Sequence, residues 1–244
     1  MNTRELINKV LVGLRQDQIG SSQTTTTDAY ELLLLQFVNE AKEEIEESWD
    51  WQALRSTVTV TLAASTVEYT LTSAGDADTD TTERTQLLYE KGATGSESTS
   101  HTFGSRPQCF DVTSAAERRL TRIAPEKMER MHLTDSDETN EPMYFSLTTD
   151  GTSLKMKVWP TPDDTYTIKL RLYIPQAELA DSDLTTELTI PDRPVWTKAL
   201  WKANEERGSE LARPGGSNDR AATDALSAAI AREQTVTDRT SYPE

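Results

Sequence analysis

The sequence is poor in the residue types that most enzymes use at their active sites. Cys109 is the only cysteine among 244 residues, and His101 and His132 are the only histidines. A serine, cysteine or threonine nucleophile usually needs a histidine base, and a zinc site needs several cysteine or histidine ligands. Motifs for acyl hydrolases, zinc proteases, phosphate-binding loops and dinucleotide binding are also missing. We therefore expect no catalytic residue, no metal site, no cofactor and no enzyme activity.

Disulfides and long apolar runs are excluded as well. A single cysteine cannot form an intrachain disulfide, which fits folding in a reducing compartment. The longest apolar run, Leu32 to Leu35, is far shorter than the roughly 20 residues of a membrane-spanning helix. Residues 1–5 lack the basic and apolar order of a signal peptide. These features predict a protein made in the cytoplasm that does not associate with a membrane.

Positive charge is scarce. The chain has 25 Lys and Arg against 41 Asp and Glu, which gives a formal net charge of −16. Tight binding to nucleic-acid phosphates needs a cluster of cations, because the release of counterions drives it. The densest basic stretch is interrupted by glutamates, so we predict a solvated, ion-paired face and no sequence-specific binding of nucleic acid. Its cations are Arg118, Arg119, Arg122, Lys127 and Arg130.

Helical periodicity is present at both ends of the chain. Residues 3–14, 27–49 and 218–234 each repeat apolar side chains on one helical face, as does a segment that begins near Arg193 and ends before Pro214. Neither the first nor the last pair has enough apolar surface to be stable alone. We therefore predict that the two pairs close into one four-helix bundle. The candidate N-caps are Thr3, Thr27 or Asp28, and Asp192.

The middle of the chain alternates apolar and polar residues with the period of two that β-strands show. Residues 57–62 and 67–71 are predicted as two strands joined by a short turn. Residues 143–147, 154–159 and 166–174 are predicted as a three-stranded meander, since Asp150-Gly151 and a proline-rich segment supply its turns. Further short elements are predicted at residues 107–112 and 120–123 (strands) and 125–131 (helix).

These patterns predict an α+β fold in which a large antiparallel β domain is inserted into a helical bundle. The bundle would comprise residues 1–54 and 193–234, and the inserted domain would comprise residues 55–192. Within the insertion, residues 73–106 are rich in Asp, Thr, Ser and Gly and are predicted as a long polar loop. Residues 235–244 are predicted as a flexible C-terminal tail.

Tryptophans and tyrosines are the candidate interface residues, because large aromatic side chains dominate the energetics of protein interfaces. Trp196 and Trp201 lie on the same predicted helix but about 140° apart around its axis. Trp196 aligns with the apolar stripe and is predicted to be core, which leaves Trp201 to meet a second helix or subunit. The full set of predicted interface residues is Trp201, Trp159, Tyr173 and Tyr242.

Several short segments occur in a characteristic order. The long helix ends in Trp49-Asp50-Trp51-Gln52-Ala53-Leu54 and leads into strands that end in Val67-Glu68-Tyr69-Thr70-Leu71. Glu141-Pro142-Met143-Tyr144-Phe145 leads to Val158-Trp159-Pro160-Thr161-Pro162, and Arg171-Leu172-Tyr173-Ile174-Pro175 follows. In this order and spacing the chain resembles the head-to-tail adaptor family of tailed bacteriophages, also called connector or tail tubular A-like proteins.

The resemblance implies a virion structural protein at the head–tail junction. Such an adaptor would form a ring, expected to be a dodecamer, with the portal protein on one side and a tail or nozzle protein on the other. DNA would pass through the lumen during ejection without being held. A lumen lined with negative charge would repel the duplex and so avoid trapping it. The acidic composition is compatible with such a lumen.

Three alternatives remain open from the sequence. The chain could be a non-catalytic β platform that binds a glycan or another virion protein through Trp159, Tyr144, Tyr166 and Tyr173. It could be a hydrolase that uses scattered carboxylates, although carboxylate pairs carry little information in so acidic a chain. It could also be a globular domain of unrelated function.

Overall fold

The computed structural model describes a chain with two compact units. The first comprises residues 1–53 and 176–244, and the second comprises residues 54–175. Most of the predicted polar loop, the Asp150-Gly151 turn and Tyr242 lie outside the described residues. The described residues are 1–71, 86–87, 89–90, 106–107, 109–113, 118–135, 138–149, 154–209 and 213–240.

The described chain has an α+β fold with five α-helices and two main sheets. The first unit contains four of the helices, and α3 belongs to the second unit. Helix α5 extends to Thr240, so residues 235–240, which were predicted to begin the flexible tail, are helical. Extending a formed helix fixes one residue per added hydrogen bond, and this cooperativity carries the helix past its last aligned apolar residues. The helices are α1 (Thr3–Gly13), α2 (Ala29–Ser48), α3 (Pro125–Thr134), α4 (Asp192–Glu206) and α5 (Ser217–Thr240).

The helix starts correct two of the predicted caps. The side chain of Asn2, and not that of Thr3, caps α1: it accepts from the N–H of Glu5, and Glu5 accepts from the N–H of Asn2. Thr3 is instead buried. Asp28 caps α2 as predicted, by accepting from the N–H groups of Tyr30 and Glu31. Helix α4 begins one residue earlier than expected, so Asp192 is its first helical residue and no side chain caps it.

Helix α4 is the centre of the first unit. It packs against α1, α2 and α5, and α1 also packs against α2. Buried apolar residues recur along the facing sides of these helices, which is the pattern predicted from their periodicity. Trp196, predicted to be core, and Leu200 are only half-buried, because the interior side of α4 is filled by smaller residues. Those residues are Pro194, Val195, Thr197, Ala199 and Ala203.

The second unit holds two main sheets and a short two-stranded pair. One sheet has the strand order β1-β11-β6-β7, with β3 also paired to β11, and the other has the order β2-β10-β9-β8. Strands β4 and β5 form the separate pair. The strands are β1 (Arg55–Leu62), β2 (Glu68–Thr70), β3 (Gln86–Leu87), β4 (Tyr89–Glu90), β5 (Arg106–Pro107), β6 (Cys109–Asp111), β7 (Arg118–Arg119), β8 (Thr121–Arg122), β9 (Tyr144–Thr149), β10 (Leu154–Trp159) and β11 (Tyr166–Tyr173).

The sheet topology corrects the predicted meander. Strands β9 and β10 pair as expected, but β11 pairs with β1 and β6 in the other sheet. Strands β1 and β2 likewise diverge into different sheets after their short turn. Strand β8 runs parallel to β9, so the second sheet is mixed and not purely antiparallel. The reason is burial: the apolar faces of both sheets share one core, which a single flat meander could not enclose.

Candidate interaction surfaces

The first unit carries a groove between α2 and the connector that precedes α4. Its volume is about 560 Å³, within the range of roughly 300–1,000 Å³ that is usual for ligand pockets. Leu35 and Leu179 are buried at its base, and Leu32 is 36% exposed at its edge. We call this feature the α2 groove. It is lined by Leu32, Leu35, Gln36, Asn39, Glu40, Glu43, Glu178, Leu179, Ala180 and Asp181.

The connector wall of the α2 groove is held to the helices by a set of hydrogen bonds. The Asn39 side chain donates to the carbonyl of Leu179 at 3.0 Å and accepts from the N–H of the same residue at 2.9 Å. The N–H of Thr26 donates to the carbonyl of Asp181 at 3.0 Å. Because both backbone groups of Leu179 are bonded to one side chain, the wall is fixed without any bound partner. Sequence reasoning missed Asn39, whose only signal was a carboxamide within a helix otherwise rich in glutamate.

The rim of the α2 groove is acidic. Four of its ten lining residues are carboxylates, namely Glu40, Glu43, Glu178 and Asp181, and none is a lysine or arginine. Glu178 and Asp181 are exposed on the connector, whereas Glu40 accepts a hydrogen bond from Lys202 at 3.0 Å. A cleft lined by one sign of charge attracts ligands of the opposite sign. The groove therefore combines an apolar base with a negative potential.

Lysines of α4 bridge to glutamates of α2 beside Trp201. Lys202 lies 2.7 Å from a Glu44 oxygen, and Lys198 lies 3.2 Å from the other Glu44 oxygen. Lys198 also lies 4.4 Å from the centroid of the Trp201 ring, in cation–π geometry. Trp201 is half-buried, so part of its ring remains at the surface of the first unit.

These ion pairs shift two pKa values in opposite directions. Burial raises the pKa of Glu44, but hydrogen bonds and charge from Lys202 and Lys198 outweigh it and hold that pKa below its ordinary value. Burial likewise lowers the pKa of Lys202, and its bonds to Glu44 and Glu40 reverse this and raise the pKa above its ordinary value. Both shifts favour the charged forms, so the pairs support the contact between α2 and α4.

A second ion pair, between Lys42 and Glu46, is fully buried. Their charged atoms lie 3.6 Å apart, and neither side chain is exposed. Lys42 donates to the carbonyl of Gln176 at 2.6 Å, and the N–H of Gln176 donates to Glu46 at 3.1 Å. The Gln176 side chain in turn bonds to the backbone of Glu187 and Thr189. The pair thus anchors the residue at which the chain re-enters the first unit.

The second unit presents aromatic side chains on its β9–β10 hairpin. Tyr144 and Trp159 face each other across the strands with ring centroids 5.9 Å apart. The buried Nε1 of Trp159 has no hydrogen-bond partner among the described residues. Tyr173, which was predicted as an interface residue, is 4% exposed in the single chain. Tyr166 donates to Asp163, and this hydrogen bond, together with burial, raises the pKa of Tyr166 to about 12.

The cysteine and the histidines are the residues whose chemistry the sequence singles out. Cys109 is buried in the core of the second unit, as predicted, and burial raises the pKa of its thiol. His132, in the last turn of α3, has its pKa lowered chiefly by burial. His101 lies outside the described residues. Among the residues that the structure describes, no group of three or more His, Cys, Asp or Glu could hold a metal ion. None of the helices in this part of the chain is long and apolar enough to cross a bilayer.

Comparison with known proteins identifies the family. A search of curated protein sequences returned no match. A family model described as the SU10 adaptor protein matches residues 1–243, which is nearly the whole chain. This match agrees with the resemblance to phage head-to-tail adaptors that the sequence motifs indicate. The chain belongs to the SU10 adaptor protein family.

Proposed function

We propose that the chain is a structural, non-enzymatic adaptor at the head–tail junction of a tailed-phage virion. The observation that carries this proposal is the family match, which spans both units and therefore covers the whole architecture. The partners would be the portal protein on one side, a tail or nozzle protein on the other, and further copies of the same chain. The virion would be its final location after synthesis in the host cytoplasm.

Assembly would proceed by heterologous contacts, in which one patch of each subunit meets a different patch of the next. Twelve copies would close into a dodecameric ring. We propose that α1, α2, α4 and α5 act as a four-helix bundle at residues 1–54 and 193–234, with residues 55–192 as an inserted β domain. The bundle would contact its neighbours and the portal, and the β domain would face the tail. Trp201 and Trp159 are the proposed interface residues within the described chain.

The ring would let DNA pass during ejection without binding it. The net charge of −16 supports this, because an acidic lumen repels a polyanion at the distances set by the Debye length. Gel-shift titration of the assembled ring with duplex DNA should show no complex at about 0.15 M salt. A salt-resistant complex would contradict this part of the proposal.

The direct test is electron microscopy of the purified chain with and without the portal ring of its own phage. We expect the chain alone to appear as small particles. When the chain and the portal ring are mixed, the portal should gain a further ring of density with twelve-fold symmetry on one face. A Trp201→Ala variant should weaken this binding while keeping the far-ultraviolet circular dichroism of the wild type. A chain that never associates with the portal, or one that turns over a substrate, would refute the adaptor role.

A second candidate function is a β platform for a glycan or another virion protein. The neighbouring rings of Tyr144 and Trp159 favour it, because paired aromatic rings are suited to the apolar faces of sugars. Tyr173, one of the four contacts that this function was expected to use, is 4% exposed and presents little surface to a ligand. Glycan-array binding that is lost in a folded Trp159→Ala variant would support the platform, and an array without signal would reject glycan recognition.

A further inference from the structure

The α2 groove is an open, preformed surface in the part of the chain that the structure describes. Its base is apolar, and the nearby Leu32 is one of four large apolar side chains that are exposed in the described part of the chain. Hydrogen bonds from Asn39 and Thr26 hold its connector wall in place. A site that is already ordered loses little conformational entropy on binding, so a modest contact area can give measurable affinity.

The charges at the rim decide what fits. Four carboxylates line the groove, of which Glu40 is already paired with Lys202, and none of the lining residues is cationic. An apolar segment without charge would cover the exposed carboxylates Glu178 and Asp181 without pairing them, and an acidic segment would be repelled. A segment that carries lysines or arginines around one or two large aliphatic side chains satisfies both parts of the groove. An amphipathic helix with such residues at i and i+4 has this arrangement.

We propose that the α2 groove docks a cationic amphipathic segment of a partner protein. The aliphatic side chains of the segment contact Leu32, Leu35 and Leu179, and its cations pair with Glu178 and Asp181. The partner is a different protein and not a second copy, because the densest basic stretch of this chain, residues 118–130, is interrupted by glutamates and so offers no purely cationic segment. That the partner is a virion component rests on the proposed function, whereas the chemistry of the groove does not.

The test uses the full chain and two synthetic helical peptides of lysine and alanine. One peptide has leucines at two positions four residues apart, and the other has serines at the same positions. Fluorescence anisotropy at about 0.15 M salt measures both affinities, so that weak long-range attraction is screened. We expect the leucine peptide to bind at least about tenfold more tightly than the serine peptide, since two buried leucines replace two exposed ones.

Variants locate the binding site. Glu178→Gln combined with Asp181→Asn should weaken binding of the leucine peptide by at least about threefold. Leu32→Ser should reduce the difference in affinity between the leucine and serine peptides. Glu205→Gln combined with Asp224→Asn is the matched control, since both residues are exposed in the first unit and neither lines the groove, and it should leave the affinity unchanged.

Three outcomes would overturn the proposal. The two peptides could bind equally, which would indicate attraction to net charge alone. The control variant could weaken binding as much as the groove variant, which would place the peptide elsewhere. The groove variant could instead alter self-association in sedimentation, with no peptide effect, which would assign the groove to a contact between copies. None of these outcomes bears on whether the chain binds a portal, so the adaptor role is tested separately.

Discussion

At the scale of single residues, the charged groups of α2 have two distinct environments. Lys42 and Glu46 are fully buried and bonded to the backbone of Gln176, whereas Glu44 is 46% exposed and paired with two lysines. Burial makes each unpaired charge expensive, because the low-dielectric interior cannot replace the lost hydration. The buried pair therefore matters most when one partner is removed, and the exposed pair contributes modestly.

Replacing Lys42 with methionine should strongly destabilise the protein. The change removes the Lys42 ammonium from the buried Glu46 carboxylate and removes the donor to the Gln176 carbonyl, at an expected loss of about 3–5 kcal/mol. Urea unfolding monitored by tryptophan fluorescence measures it. Lys198→Met, at a quarter-exposed lysine of α4, is the comparison and should lose less than about 1 kcal/mol. Equal losses in the two variants would show that burial does not control the effect.

Glu44 should make stability depend on pH in acid. Its folded-state pKa lies below the ordinary value of 4.5, so its stabilising contribution is complete above that pH and disappears as the pH falls through the lowered folded pKa. Glu44→Gln should therefore reduce the free energy of unfolding near neutral pH by less than about 1 kcal/mol, which a lower thermal midpoint would report. The gap from wild type should close in acid. Glu47→Gln, at an exposed carboxylate on the same helix, should show no such gap.

Single-residue properties were predictable where one physical rule applies. The burial of Cys109 follows from its place on an apolar strand, and the capping by Asp28 follows from its position before the first helical turn. The buried Lys42 was not predictable, since it lies in a run of charged residues that reads as a solvated face. Its partner backbone at Gln176 is 134 positions away in sequence, and no local pattern reports such a contact.

At the scale of elements, α1 and α4 approach closely where Gly13 faces Leu200. A Cβ at position 13 would lie 2.8 Å from both terminal carbons of Leu200. Gly13 is the last residue of α1 and Leu14 is its C-cap, so this glycine is distinguished by its close approach to Leu200 and not by a left-handed cap.

Gly13→Ala should destabilise the protein by about 1 kcal/mol, because overpacking outweighs the better helix propensity of alanine. Adding Leu200→Val should recover part of this loss, since the shorter side chain makes room for the new methyl group. A double-mutant cycle by thermal unfolding measures the coupling between the two positions. If the free-energy losses of the two single variants simply add in the double variant, the side chains at positions 13 and 200 do not interact, and the close contact does not limit stability.

Element types were largely predictable, and strand partners were not. Alternation correctly located β1, β10 and β11, because each has one side facing a core. Alternation does not specify which sheet the strand joins. Both sheets contribute their apolar faces to the same core, so β11 satisfies its pattern equally well beside β1 or beside β10. The choice between them depends on long-range packing that sequence periodicity does not contain.

At the scale of the whole molecule, net charge should govern association between copies. Subunits with a charge of −16 repel one another over the Debye length, which shortens as salt rises. We expect the isolated chain to sediment as a monomer at about 0.01 M salt and to associate more strongly at about 0.5 M salt. Sulfate and chloride at matched ionic strength separate charge screening from salting-out. Association that weakens with salt would identify attractive ion pairs as the main contact between subunits.

The α+β class and the family were predictable because composition, periodicity and segment order all depend on the chain as a whole. The location of the α2 groove was not, since it depends on how a connector without regular secondary structure lies against α2. The carboxylates Glu178 and Asp181 are ordinary in so acidic a sequence. They lie beside Leu32 only because the connector packs against α2 in the folded structure.

The order of the two units along the chain also determines which of them can fold first during synthesis. Residues 54–175 leave the ribosome as one continuous stretch and can fold while translation continues. The other unit must wait, because α2 is made early and its partners Gln176, Leu179 and α4 emerge more than a hundred residues later. A nascent or truncated chain therefore has no α2 groove. Any partner that reads this groove would recognise only completed subunits, which would exclude unfinished ones from the virion.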